Sequence, residues 1–251
     1  QIMDSTMIQS ILFDLDGTLV QTEILKAESY AQATLELCPD TISKEEIIQA
    51  YRDVLGGSRD QVAQSLVDRF NLNRQLQERM SEFGVKTPWQ AFIQIRMQHY
   101  QQLIADPDII HNHKCPYALG LLNWAVDHGY RTGLATMSHC PQASRILEIL
   151  GLDHTFDALI TRDDVDKGKP DPEIYLAAAR QLDIAPANCL VIEDSATGIQ
   201  AALAAGMACL AVPSSFTRPG VLQSGLLPDT NITAPKLLQQ TAEHRIHEYD
   251  E

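Results

Sequence analysis

The chain has 251 residues, 45% of them apolar, which suffices for one large domain or two modest ones with a packed core. Its formal charge of −14 argues against a nucleic-acid or anionic-membrane surface, since either needs a basic patch; an anionic ligand must be met by local cations or a metal. Five scattered cysteines (Cys38, Cys115, Cys140, Cys189, Cys209) lack C-x-x-C spacing, so neither a disulfide framework nor a zinc site is expected, and they read as reduced thiols of a cytoplasmic protein.

No run reaches the roughly 20 apolar residues of a membrane helix. The start of the chain lacks the basic stretch and long apolar run of a signal peptide, and residues before Met7 are set aside. In chain order, SILFDLD (10–16) is a short buried strand with a polar tip. From Val20 to about Asn112 the patterns become helical: TEILKAESYAQATLELC, KEEIIQAYRDVL, RDQVAQSLVDRF and TPWQAFIQIRMQHYQQLI, with breaks at Cys38-Pro39, Gly56-Gly57 and Gly84. Helices and short apolar runs then alternate. YALGLLNWAVDHG is a helix ending at Gly129, and YRTGLATMS is a strand with a polar tip. PQASRILEILG is a helix with Pro141 in first position, followed by the strand FDALIT. DPEIYLAAARQLD opens on Asp171 and Pro172, a cap and a first-turn residue. CLVIED is an apolar run ending in two acids, SATGIQAALAAG a helix closed by Gly206, and CLAVP a further strand.

Alternation of this kind predicts an α/β fold, a parallel sheet with helices on both faces, because crossover helices bury both sides of each strand. The helical block is too long for a loop and reads as an inserted all-helical domain. The expected division is a core of 1–19 with 113–251, and an insert of 20–112. Ligands of such sheets bind outside the carboxyl ends of the strands.

Four of those ends carry reactive residues: Asp14 and Asp16, then Thr136 and Ser138, then Lys169 in DDVDKGKPDP, then Glu193 and Asp194. Each has an ordinary explanation. A D-x-D-G is common in turns, a hydroxyl after a strand is usually a helix cap, and a lysine before proline is usually solvated. An acid pair at a helix start suits the helix dipole. Their joint arrangement, in order and each at the same end of its element, points instead to a magnesium site for a phosphoryl group: hard oxygen ligands for Mg²⁺, with lysine and hydroxyl for the phosphoryl oxygens.

DLDGT after ILF, LATMS, GKPDPEIY and VIEDSATGIQAA resemble, in order and spacing, the four motifs of the haloacid dehalogenase superfamily of phosphohydrolases and phosphomutases. The insert resembles the helical cap of the branch containing β-phosphoglucomutase and phosphoglycolate phosphatase. The resemblance covers nearly the whole chain and implies a Rossmann-like core of parallel strands with a mobile cap. It implies Asp14 as nucleophile and Asp16 as general acid/base, with Thr136 and Lys169 binding the phosphoryl group. Mg²⁺ is implied between Asp14 and Asp194, with the Asp16 carbonyl as a further ligand and Glu193 beside them. Dehalogenases of the family lack the second aspartate, so Asp16 favours phosphoryl chemistry.

The insert is expected to carry specificity. LGGSRDQ places Gly57, Ser58 and Arg59 in a turn between helices, and the resemblance makes it a substrate-recognising loop. Arg96 lies within the apolar stripe Trp89, Phe92, Ile93, Tyr100, Leu103, where a charge needs either a buried carboxylate or a substrate anion. Ser138 and His139 border the expected pocket. Two positions depart from the pattern: Lys26 stands where sugar phosphomutases carry a histidine, and Gln21 where aspartate is frequent. The expected protein is therefore a Mg²⁺-dependent phosphatase acting on a small phosphate ester of a sugar or polyol, by default a monomer. A sugar phosphomutase is the alternative. A phospho-aspartate signalling module is remote, since receiver modules are about half as long and lack the insert.

Overall fold

The structure, a computed structural model, describes residues 7–38, 42–55 and 58–250, with side chains described to residue 248. Two compact units are present, one formed by Thr22–Ile109 and the other by the rest of the described chain.

In the larger unit β1 (Ser10–Phe13) is followed, after the helical segment, by α7 (Pro116–Asp127), β2 (Arg131–Ala135), α8 (Cys140–Leu150), β3 (Ala158–Ile160), α9 (Glu173–Leu182), β4 (Cys189–Glu193), α10 (Ala196–Ala204), β5 (Ala208–Ala211), α11 (Arg218–Ser224) and α12 (Leu238–Asp250). The strands form one parallel sheet in the order β3-β2-β1-β4-β5. Continuous apolar runs such as SILF and CLVIE form central strands because both faces are covered: every residue of β1 and β4 is buried. Leu12, Ala135, Val191 and Cys209 share one core with Ile174, Tyr175 and Ile199 of α9 and α10.

β1 pairs with β2 on one side and β4 on the other, so the chain reverses its direction of travel across the sheet beside β1. That reversal opens a crevice outside the carboxyl ends of β1 and β4. Phe13 is in register with Leu134 and Ile192, which sets Asp14 level with the ends of both neighbours.

The helical unit holds α1 (Thr22–Leu37), α2 (Lys44–Asp53), α3 (Arg59–Arg69), α4 (Asn73–Phe83) and α5 (Pro88–Ala105); the unit boundary divides α6 (Pro107–His113). α5 is its centre, packed against α1, α3 and α4. Its buried face is Ala91, Phe92, Ile93, Ile95, Arg96, Tyr100 and Ile104, while Trp89 and Leu103 of the expected stripe are only half-buried. The unit is shorter than 20–112. Val20 bridges Lys114 in antiparallel fashion, the Gln21 N–H donates to the His113 carbonyl (2.8 Å), and the Cys115 N–H donates to the Leu19 carbonyl (2.8 Å). These residues therefore belong with the sheet.

α4, α6, α11 and α12 are helices that the sequence patterns left unassigned. α8 begins at Cys140, which puts Pro141 in its second position, and Pro172 rather than Asp171 precedes α9. No helix among the described residues is long and apolar enough to cross a membrane.

Candidate active site

Asp14 is the first residue beyond β1, and its N–H donates to the Ile192 carbonyl of β4 (3.1 Å). The chain then turns sharply at Gly17, whose φ is +88°. A Cβ there would lie 2.2 Å from Asp194 Oδ2, so both the backbone conformation and the close approach of the Asp194 carboxylate require glycine.

The side chains of Asp14 and Lys169 meet at 2.7 Å, and the Lys169 ammonium also donates to Glu193 Oε1 (2.7 Å) and to the Ala135 carbonyl (3.0 Å). All three ammonium protons are used. Its side chain is 5% exposed and that of Glu193 0%. Glu193 accepts further bonds from the Tyr175 hydroxyl (2.6 Å), the N–H groups of Asp194 and Ser195 (3.1 and 3.3 Å) and the Ser195 hydroxyl (3.2 Å). Gly198, in the first turn of α10, leaves room for this carboxylate; a Cβ there would lie 1.9 Å from it.

Asp16 turns the other way. Its Oδ2 accepts the hydroxyls of Thr136 (3.0 Å) and Ser138 (2.7 Å), and the Ser138 N–H donates to Thr136 Oγ1 (3.0 Å). The pair of aspartates is thus split between two environments, an ammonium for Asp14 and two hydroxyls for Asp16.

Burial pushes the Asp14 carboxyl up to about 8; Lys169 pulls it down, and the charges of Glu193 and Asp16 raise it further. Burial alone would lower Lys169, but Asp14 and Glu193 hold it above its ordinary value. The site is short of positive charge, with four carboxylates (Asp14, Asp16, Glu193, Asp194) around one ammonium. Carboxylate oxygens of Asp14, Glu193 and Asp194, all buried, lie within 4.8 Å of one another. This set of hard oxygen donors with surplus negative charge suits a divalent cation such as Mg²⁺.

Other expected site residues lie elsewhere. His139 is the residue preceding α8, half-exposed, and its Nδ1 pairs with Asp163 (2.5 Å), whose other oxygen accepts the Cys140 N–H (2.7 Å). It is tied to that loop rather than to the carboxylates. Ser58 precedes α3 as its cap, exchanging hydrogen bonds with Gln61 and bonding Asp60. Its hydroxyl is thereby engaged in starting a helix. Gly57 lies outside the described residues.

Arg59 opens α3 and is exposed, while Arg96 is 5% exposed. The Arg96 guanidinium sits 4.8 Å from the Tyr30 ring centroid and 4.7 Å from that of Tyr100, with Nη1 on the Met97 sulfur (2.9 Å). Its Nε has no hydrogen-bond partner among the described residues. Partial desolvation of its guanidinium and the Arg96 charge lower the pKa of Arg59, so the two cations are neighbours. Of the two departures, Lys26 pairs with Glu23 (2.7 Å), and the Gln21 side chain donates to the Gly17 carbonyl (3.3 Å) and the Cys115 sulfur (3.2 Å).

Sequence reasoning missed Tyr175 and the Ala135 carbonyl. The tyrosine in EIYLAAARQL falls on the apolar face of α9, where only its hydroxyl distinguishes it from core packing. A carbonyl has no sequence signal at all.

A parallel sheet whose central strand ends in an ammonium-paired aspartate, with acids and hydroxyls on the flanking strand ends, defines an α/β protein with a charged site at the carboxyl edge of its sheet. Residues 8–206 match the family model of the haloacid dehalogenase-like hydrolases. The chain is 31% identical to YhcW of Bacillus subtilis over 84% of its own length and 86% of that protein. It is 25% identical to the phosphorylated carbohydrates phosphatase of Thermotoga maritima, over 80% and 82% respectively. CbbY from Rhodobacter sphaeroides, solved in complex with phosphate, superposes with a TM-score of 0.61 at 27% identity, over 84% of this chain and 89% of that one. The chain belongs to the haloacid dehalogenase-like hydrolases. It is an enzyme of that family, a phosphatase.

Proposed function

We propose that the chain is a Mg²⁺-dependent phosphatase that hydrolyses a small sugar or polyol phosphate through an aspartyl-phosphate intermediate. The observation that carries this reading is the Asp14–Lys169 contact at 2.7 Å within a buried cluster of carboxylates. Asp14 attacks phosphorus, and the Lys169 ammonium meets the equatorial oxygens on which charge collects in a loose transition state. Splitting the displacement in two lets water attack the aspartyl phosphate in a second, easier step.

Asp16 protonates the leaving alkoxide and then takes a proton from the incoming water. The hydroxyls of Thr136 and Ser138 hold its carboxylate in place between the two half-reactions. Asp14, Asp194 and the Asp16 main-chain carbonyl would hold Mg²⁺, with Glu193 beside them. When bound, the ion supplies positive charge that lets an anionic nucleophile and an anionic phosphate coexist.

The helical unit is the specificity element of this reading. Arg59 and Arg96 are cations for a substrate anion, because among the described residues neither forms an ion pair with a carboxylate. A buried guanidinium left against aromatic faces is costly by several kcal/mol unless a ligand offsets it.

A panel of metabolite phosphates assayed with Mg²⁺, alongside p-nitrophenyl phosphate, tests the reading. Hydrolysis without a sugar bisphosphate activator is expected. Isomerisation of sugar phosphates that depends on such an activator would establish the mutase instead.

A further inference from the structure

Tyr175 takes no part in the reaction above, yet it touches both Lys169 and the glutamate that Lys169 pairs with, Glu193. Its hydroxyl donates to Glu193 Oε1 at 2.6 Å, the oxygen that also accepts from Lys169 at 2.7 Å. The Lys169 ammonium lies 4.9 Å from the centroid of the same tyrosine ring. The side chain is fully buried in α9, within the core that backs the sheet.

Glu193 is then fully engaged. Oε1 accepts from Lys169 and Tyr175, and Oε2 from two backbone N–H groups and the Ser195 hydroxyl. A carboxylate has about four acceptor sites, and these five donors occupy them. We propose that Tyr175 is a positioning residue for the Lys169 ammonium, acting through Glu193, which anchors that ammonium. This deepens the phosphatase reading and depends on it for its kinetic consequence.

The physical reason is a shared acceptor. Lys169 has three protons and three acceptors: Asp14, Glu193 and the Ala135 carbonyl. While the tyrosine hydroxyl occupies part of Glu193 Oε1, the glutamate cannot draw the ammonium fully to itself, and the ammonium stays divided between Glu193 and the nucleophile. Without that hydroxyl the Lys169–Glu193 bond tightens and the cation retreats from the point of phosphoryl transfer. The ring, lying against the ammonium, limits its movement on the remaining side.

The test compares wild type, Tyr175→Phe, Glu193→Gln and the double variant on p-nitrophenyl phosphate at saturating Mg²⁺. Tyr175→Phe keeps the ring and removes only the hydroxyl. Its kcat is expected to fall about fivefold to tenfold with KM within about twofold, the pattern of an interaction used in the transition state. The double variant should be no slower than Glu193→Gln alone, since both changes act on one carboxylate. A Tyr175→Phe enzyme with wild-type kcat, or losses that multiply in the double variant, would overturn the proposal.

A second readout needs neither turnover nor metal. In the metal-free wild-type protein the Lys169 ammonium should give a water-protected ¹H–¹⁵N signal, shifted by the Tyr175 ring and showing cross-relaxation to it. An ammonium signal free of the tyrosine would overturn the proposal even if Tyr175→Phe fails to fold. Lack of any phosphate-ester hydrolysis by the wild type would count against the phosphatase reading alone, and this measurement would still decide the positioning claim.

Discussion

The two units of the molecule treat buried cations in opposite ways. Lys169 is surrounded by three oxygen acceptors, and its glutamate partner by five donors. Arg96, equally buried, has two aromatic faces, a thioether, and a guanidinium Nε with no partner among the described residues. The first arrangement is complete without a ligand except for its excess of negative charge. In the reading proposed above, the second is completed by the substrate. Reaction chemistry, common to every phosphate ester, can be built in advance, whereas recognition of one particular ester requires polar groups held open for it.

The strongest way to break this contrast is at the proposed nucleophile, Asp14. Asp14→Asn should lower kcat by more than about a thousandfold on every phosphate ester while leaving the thermal unfolding curve cooperative. Near-normal turnover would show that the ammonium-paired acid is not the attacking group.

A change of pH tests the charge imbalance. Because burial holds the folded-state pKa of Asp14 near 8, against about 4 unfolded, the folded protein keeps a proton that the unfolded chain releases. The metal-free protein should therefore lose stability as pH rises from about 4 through about 8. Thermal melts in chelator should show that slope, Asp14→Asn should flatten it, and added Mg²⁺ should reduce it. A slope in wild type that persists unchanged in the variant would place the cause elsewhere.

The helical unit is tested at its buried guanidinium. Arg96→Met should raise KM for the metabolite best hydrolysed by wild type about tenfold, a loss of roughly 1.4 kcal/mol of binding, and leave kcat/KM for p-nitrophenyl phosphate within about twofold. Equal losses on both esters would make Arg96 a structural residue. The smallest effect belongs to Ser58. As the exposed cap of α3 its replacement by alanine should cost about 1 kcal/mol of stability, read by denaturant melts, with KM unchanged. A large rise in KM would restore it to the substrate-binding set.

The contrast also explains what could be read from the sequence. The strand-end residues were legible because a parallel sheet converts linear order into a shared edge, where they form two hydrogen-bonded groups, Asp14 with Lys169 and Glu193, and Asp16 with Thr136 and Ser138. Tyr175 was illegible because its ring follows the helical apolar period and its hydroxyl does not show in that pattern. Helix α4 was missed for a related reason, since Leu76 is its one buried residue and too little apolar stripe remains to detect. His139 and Ser58 each precede a helix and bond within their own loop or helix start, and residues in that position, whether they serve the helix or a ligand, look the same in a sequence. The helical unit starts at Thr22 rather than at Val20 because Val20 and Gln21 look like linker in the sequence, and only their pairing with Lys114 and His113 ties them to the sheet.

That pairing has a consequence for how such a protein could be altered. The chain leaves the sheet unit and comes back to it through adjacent, mutually hydrogen-bonded segments, Leu19–Gln21 and His113–Cys115. Whatever length of polypeptide is spliced between them, the sheet meets the same two ends at the same separation. The closure entropy of the excursion grows only with the logarithm of its length. The junction is thus a socket, and replacing everything between Thr22 and Asn112 by a short turn, or by a foreign helical module, should leave the sheet and its acid cluster able to fold.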